Sequence, residues 1–433
     1  MGYWTELRSW LLKDPGKLIR YLVLFVCIII VITQLYECFS KLQNPPISTH
    51  SYYNLNDTIE MPAVTICREP PYKEAVLSNI SKSVCSHPRF TNCWANYPYG
   101  EVAMDEFFMN STYDLEETFS YPQYGLDGLM DNLEITSSIH FNMGRCHTLR
   151  PKIALKRTTK ESGYSVMLTH HINPNNNNKY YEKDPGWHIF LHDYRENFTE
   201  INMKGSGRVE YVFAEINEEI EIKLQSQFFS NVETRTESCS RVEGYSDLKC
   251  GEVCIWKNLS KMSNCTGPWM HEVPEDDCEN YKSMKNLTIE YGKVYNGDRE
   301  IYCDCMQPCV SRIYSTYIQN RKNYNQTDLS TQVWIYYTTK LISMIEERPS
   351  YDTTQFIADI GGSLGFLLGL SVLGLIGILE NLTLFFCGGV IKKFQMKNEK
   401  RQKLESDQQS QQSDETVDVA TIYKTKHTKK TPV

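Results

Sequence analysis

Hydrophobic and polar positions along this chain fall into two patterns, each predicting a different kind of element. From Tyr21 to Tyr36 the run YLVLFVCIIIVITQLY carries no charge, and with its flanks it approaches the roughly 20 residues a membrane-spanning helix needs. A second uncharged run, Ile360 to Leu379, is twenty residues long, and apolar residues resume from Asn381 to Val390. Between the two runs the pattern shortens to alternation. Met61–Cys67, Ser165–Thr169, His188–His192, Val209–Phe213, Ile220–Leu224 and Gln332–Tyr337 all read as strands. Residues 43–47, with two prolines, read as an extended exit from the first span. The stretch 70–140 is polar and aromatic with turn formers at Pro88, 96–100 and Pro122, which predicts short helices and loops. Asn173–Asn178 is a solvated loop, and the chain from about 404 lacks any apolar pattern, which predicts disorder.

Charge decides the orientation. Arg8, Lys13, Lys17 and Arg20 precede the first span, and Lys392, Lys393, Lys397, Lys400, Arg401 and Lys403 follow the second. Both ends are therefore cytoplasmic by the positive-inside rule, with the intervening residues outside the cell. A cleaved signal peptide is the rival reading of the first run, but no small-residue cleavage site follows it. Eight N-x-S/T sequons lie between the spans, at Asn56, Asn79, Asn110, Asn197, Asn258, Asn264, Asn286 and Asn325, where glycans belong. Twelve of the fifteen cysteines share that segment: Cys67, Cys85, Cys93, Cys146, Cys239, Cys250, Cys254, Cys265, Cys278, Cys303, Cys305 and Cys309. An even dozen on the oxidising side reads as a disulfide framework, leaving Cys27, Cys38 and Cys387 free. A net charge of −8 argues against nucleic acid as a partner.

The second run is unlike a plain anchor. Gly361, Gly365 and Gly369 repeat every four residues, making one bare helical stripe that permits close backbone approach. A dimerising anchor would explain the stripe alone. Asp359 and Glu380 bracket the run, about 30 Å apart on continuous helix, and carboxylates there are costly unless they face water. Gly369, Leu370 and Ser371 place a flexible residue and a hydroxyl midway, so copies of this helix could line a cation path. An enzyme is the rival class. His188 and His192, with Asp193 adjacent, have metal-ligand chemistry, but their strand context favours a structural role, and His170–His171 has less support still. No nucleophile elbow, phosphate loop or H-E-x-x-H occurs.

Residues 358–365 (ADIGGSLG) with Gly369–Leu370–Ser371 closely resemble the pre-pore and pore segment of the degenerin/epithelial sodium channel family. Met61–Cys67, Met143–Leu149 (MGRCHTL) and Tyr302–Cys309 (YCDCMQPC) resemble three further motifs of that family, in the same order, over about residues 20–390. The short tails and Asn-rich loop look most like its insect pickpocket branch. The resemblance implies a trimeric, sodium-selective, voltage-independent channel blocked by amiloride, with sodium as permeant ion and no cofactor. It makes Gly369, Leu370 and Ser371 the selectivity filter and places a gate at Ala358, Asp359, Gly361 and Gly362. It also implies the pairs Cys239–Cys309, Cys250–Cys305 and Cys254–Cys303 as nested rungs of a helical thumb, with Cys265–Cys278 and Cys67–Cys146 beside them. Cys85–Cys93 is left as a local pair. Such rungs would stiffen an element that carries ectodomain motion toward the pore.

Three features depart from the family pattern. Residues 1–18 hold no histidine where a His-Gly pair is usual; Gly377 replaces an acidic residue, with Glu380 three positions later; and one cysteine pair before Cys146 is missing unless Cys85 and Cys93 replace it. The alternative functions are a non-conducting accessory or receptor subunit of a hetero-oligomeric channel and, less favoured, an ATP-gated purinergic channel of the same topology. The expected fold is α+β, in five segments: 1–18 a cytoplasmic arm, 19–38 a first membrane helix, 39–355 the ectodomain, 356–390 a pore-lining helix, and 391–433 a disordered tail. Within the ectodomain, 139–225 is a β-rich core and 239–309 a cysteine-rich helical region. The expected location is the plasma membrane, among identical or related subunits, with Thr431–Pro432–Val433 as a ligand for a PDZ domain.

Overall fold

The structure is a computed structural model describing residues 15–73, 76, 93–170, 185–201, 207–233, 238–270, 272–324, 329–368 and 376–377. The expected asparagine loop, His171 and the disordered tail lie outside them. The chain divides into two compact units, Met1–Pro45 with Tyr351–Val433, and Pro46–Ser350.

In the first unit, helix α1 spans Pro15–Gln43. Proline suits the first helical position because its missing N–H would have no intrahelical partner. The helix stops where Pro45 and Pro46 disfavour helical backbone. At 29 residues it is about 43 Å long, so it overruns the expected 19–38 span at both ends and exceeds a bilayer's hydrocarbon thickness. Its middle is apolar and outward-facing, with Leu22, Phe25 and Ile32 each more than 60% exposed. From Leu22 to Gln43 the helix is long and apolar enough to cross a membrane. The same unit contains helix α6, Thr353–Leu368.

The second unit begins with an antiparallel ribbon. Strand β1 (Ile47–Leu55) pairs with the last strand of the unit, Leu341–Pro349, from Ile47↔Pro349 to Leu55↔Leu341. Ser350 closes it, donating its N–H and its hydroxyl to the Pro46 carbonyl, both at 2.8 Å. The chain thus enters and leaves this unit at one point. After β2 (Ala63–Glu69) come helices α2 (Met104–Ser111) and α3 (Leu115–Thr118) and strands β3 (Phe119–Tyr124), β4 (Leu133–His140) and β5 (Gly144–Pro151). Strands β6 (Tyr164–Thr169), β7 (Gly186–His192), β8 (Glu210–Glu215) and β9 (Glu218–Ser230) follow, then the two-residue β10 (Cys239–Ser240). Helices α4 (Asp247–Ser263) and α5 (Tyr281–Tyr295) precede β11 (Gln307–Pro308), β12 (Val310–Asn323), β13 (Ser330–Tyr337) and β14 (Leu341–Pro349).

These strands form two larger sheets. One runs β1-β14-β9-β13-β6-β3 with β12 on the far edge of β9; the other runs β4-β5-β2-β7-β8. Their facing side chains, including Ile66, Leu149, Trp187, Ile189, Ile222 and Ile335, form one continuous core. A second core joins α2, α4 and α5 around Phe108, Trp269, Leu287 and Tyr291. Strand pairing therefore reaches well outside 139–225, into β1 to β4 and β12 to β14. Residues 70–140, expected as helices and loops, contain β3 and β4 as well.

Candidate functional site

Helix α6 (Thr353–Leu368) carries the expected gate residues. It starts with Asp352, whose carboxylate accepts the Gln355 N–H at 2.8 Å, an N-cap worth about 1 kcal/mol. One turn on, Gln355 Nε2 donates to Asp359 Oδ1 at 3.1 Å, which fixes the Asp359 carboxylate along the helix. Phe356 packs edge-on against Phe39 of α1, with ring centroids 5.0 Å apart. Gly361 and Gly362 follow Ala358 by three and four residues and precede Gly365 by four and three, and all four are exposed. A Cβ built on Gly361 or Gly362 would meet nothing within 4 Å. Glycine costs a helix about 1 kcal/mol each, so a bare glycine pair with room around it fits a surface made for another helix. Gly369, Leu370, Ser371 and Glu380 lie outside the described residues, while Ile376 and Gly377 are helical.

The cysteines build a second feature. Disulfides join Cys239–Cys309, Cys250–Cys305 and Cys254–Cys303, and α4 carries Cys250 and Cys254 one turn apart. The second strand of this ladder, 303–309, has little regular structure of its own. Cys265–Cys278 closes the turn between α4 and α5, and Cys67–Cys146 links paired positions of β2 and β5 with both residues fully buried. Cys85 and the side chain of Cys93 lie outside the described residues; Cys27 and Cys38 are free.

Sequence reasoning missed how α4 is anchored. Ser246 caps the helix by accepting the Lys249 N–H and donates its own hydroxyl to Glu196. Arg208 forks between Glu196 and Asp247 of the first helical turn. Burial raises the pKa of Glu196 above the usual carboxylate range, although Ser246 and Arg208 oppose the shift. Deeper in, burial and then the Glu200 charge push Glu252 of α4 well up, and Glu200 accepts hydrogen bonds from the Asn142 N–H and the Tyr291 hydroxyl. These groups are far apart in sequence and single in type, so no local motif marks them.

His188 and His192 both lie on β7 but are held apart. His188 Nε2 is 3.0 Å from Glu69 Oε2 and Nδ1 is 2.9 Å from the Tyr211 hydroxyl. His192 Nε2 is 2.9 Å from Thr65 Oγ1, while Asp193 binds Arg195. Burial drives His192 down to about 4. Both are satisfied core histidines, and His170 sits between Arg68 and the Glu69 carbonyl. Among the described residues no cluster of three or more His, Cys, Asp or Glu has metal-binding geometry. Of the sequons, Asn110, Asn264 and Asn286 are exposed and Asn56, Asn197 and Asn258 half-buried, while Asn79 and Asn325 lie outside the described residues.

A family model described as the amiloride-sensitive sodium channel matches residues 6–380. Pickpocket protein 19 of Drosophila melanogaster is 27% identical over 151 residues, covering 31% of this chain and 30% of that protein. Degenerin del-1 of Caenorhabditis elegans is 25% identical over 157 residues, covering 31% of this chain and 24% of that protein. The matched stretches thus span less than a third of either relative. Among solved structures, a proton-activated chloride channel has a TM-score of 0.31 at 8% identity, covering 84% of this chain and 96% of that one.

Proposed function

The chain belongs to the amiloride-sensitive sodium channel family, a family of ion channels and not of enzymes, and on that premise we propose that it is one subunit of a sodium-selective channel. The observation that carries this reading is the open glycine face of α6, continuous in sequence with Gly369–Leu370–Ser371. Three subunits bring three such faces around an axis. Backbone carbonyls and the Ser371 hydroxyl of each copy then replace the hydration shell of a sodium ion. Ala358, one turn before the glycine pair, is the narrow point of the closed state, and Asp359 and Glu380 hold cations at the two mouths. Current follows the ion gradient without voltage dependence, as the resemblance to the family implies.

The rest of the molecule is consistent with that role. The outward apolar surface of α1 suits lipid, and the paired entry and exit of the second unit suit two spans joined by an ectodomain. Both termini lie in the cytosol at the plasma membrane, and Thr431–Val433 dock on a PDZ domain. A second reading, a subunit that needs conducting partners, is favoured by the absence of histidine from residues 1–18. Enlarging the gate separates the two. Ala358→Val and Ala358→Phe, expressed alone with surface expression confirmed, raise an amiloride-blocked current if the chain conducts by itself. Silence from both assigns conduction to a hetero-oligomer.

A further inference from the structure

Two grooves lie on the α4–α5 hairpin, and a sequon asparagine lines each. The first, about 570 Å³, runs along α4 between Tyr245, Val253, Lys257, Asn258 and Lys261. The second, about 580 Å³, lies over the start of α5 and includes Lys285, Asn286 and Ile289. Both are the size of a small-ligand seat. Asn258 Nδ2 donates to the Cys254 carbonyl at 2.9 Å and Asn286 Nδ2 to the Met262 carbonyl at 3.1 Å. A primary amide has two N–H donors, so each asparagine spends one on the helix and keeps one for a substituent.

We propose that Asn258 and Asn286 carry N-linked glycans whose first sugars are seated in these two grooves; this rests on the extracellular placement of 39–355. The donor is a polyprenyl-diphosphate-linked oligosaccharide that begins with an N-acetylhexosamine. Nδ2 bonds to the anomeric carbon, the carbon–oxygen bond to the diphosphate breaks, and the diphosphate leaves with the electron pair. The amide gives up one proton and keeps the N–H that bonds Cys254 or Met262. A sugar has an apolar C–H face and a rim of hydroxyls. In the first groove Tyr245 and Val253 meet the face while Lys257 and Lys261 reach the rim; in the second, Ile289 and Lys285 divide the same tasks.

The order of events follows from burial. Ser260, the sequon hydroxyl for Asn258, is fully buried and donates to the Lys257 carbonyl; Thr288, its counterpart for Asn286, is buried and donates to the Met284 carbonyl. A transferase could not reach either in the folded hairpin, so transfer precedes the closure of α4 on α5. The sugars are then built into the hairpin as it folds.

The full chain, expressed in animal cells and purified in detergent, is treated with a peptide N-glycosidase without denaturation, and release is followed at each site by glycopeptide mass spectrometry. Asn110 and Asn264, exposed and outside both grooves, are the reference sites. Occupied Asn258 and Asn286 should release about tenfold more slowly, the ratio one well-made hydrogen bond gives, and denaturation should erase the difference. Tyr245→Ala should bring Asn258 to the reference rate at unchanged occupancy, and Ile289→Ser should do so for Asn286, so one misfolded variant leaves the other readable. Release at the reference rate, or empty Asn258 and Asn286 beside occupied reference sites, overturns the seats alone. Occupancy nowhere overturns the extracellular placement and the seats with it.

Discussion

Removing rungs of the disulfide ladder one at a time should give unequal losses that follow the size of the ring each rung closes. In the chain-entropy account, Cys254–Cys303, at a separation of 49 residues, would be worth about 4 kcal/mol if it stood alone. It does not stand alone. With Cys250–Cys305 in place, the only extra ring it closes holds four residues of α4 and two of the facing strand, worth about 2 kcal/mol. Cys239–Cys309 closes a larger ring against Cys250–Cys305, with eleven residues on one side and four on the other, worth about 3 kcal/mol. The assay is hydrogen exchange of α4 and α5 amides in paired Cys→Ala variants of the full chain. Losing the inner rung should speed exchange about 30-fold and losing the outer rung roughly 150-fold, in that order. If the inner rung costs as much as an isolated loop of its length, or more than the outer one, the ladder does not act as nested rings and the reasoning fails.

Two further outcomes follow from buried charge. Arg208→Met should destabilise the α4 anchor by about 3 kcal/mol, because Glu196 and Asp247, with side chains 9% and 11% exposed, would lose their shared cation. Glu196 already binds its proton more tightly than a free carboxylate, so the defect should shrink as pH falls through its raised pKa; a defect that grows on acidification would refute this. His192 has a folded pKa of about 4 against about 6.5 in the unfolded chain, so its share of stability is complete above 6.5 and is lost between 6.5 and 4. Thermal unfolding read by tryptophan fluorescence should show a cost of about 2 kcal/mol by pH 5 from this group, and His192→Gln should flatten that limb.

What the sequence reveals depends on whether an element is defined locally. The uncharged run of α1 and the alternation of β6, β8 and β9 are local, and each is found near where it is expected. β7 is buried on both faces, with Trp187, Ile189 and Leu191 in the core between the sheets and Phe190 against Phe198 on the other side, yet its short apolar run still marks it. β1 leaves no such mark. None of its residues is buried, and its register comes from backbone pairing with β14, some 300 residues away. β3 carries Pro122 and β4 is rich in serine and threonine, so both read as loop until β6 and β5 pair with them. The same division applies to the candidate site. The glycine stripe of α6 is contiguous and stands out, whereas Arg208, Glu196 and Asp247 meet only because the fold brings three separate segments together.

The central claim is that this chain surrounds a sodium path. The most direct test is the reversal potential of whole-cell current from the chain with Ala358→Phe, measured as external sodium is replaced by potassium, with and without amiloride. The account predicts an amiloride-blocked current whose reversal potential moves negative in potassium, and a loss of that discrimination when Ser371 is also changed. A current that treats the two ions alike, or one indifferent to Ser371, would contradict it.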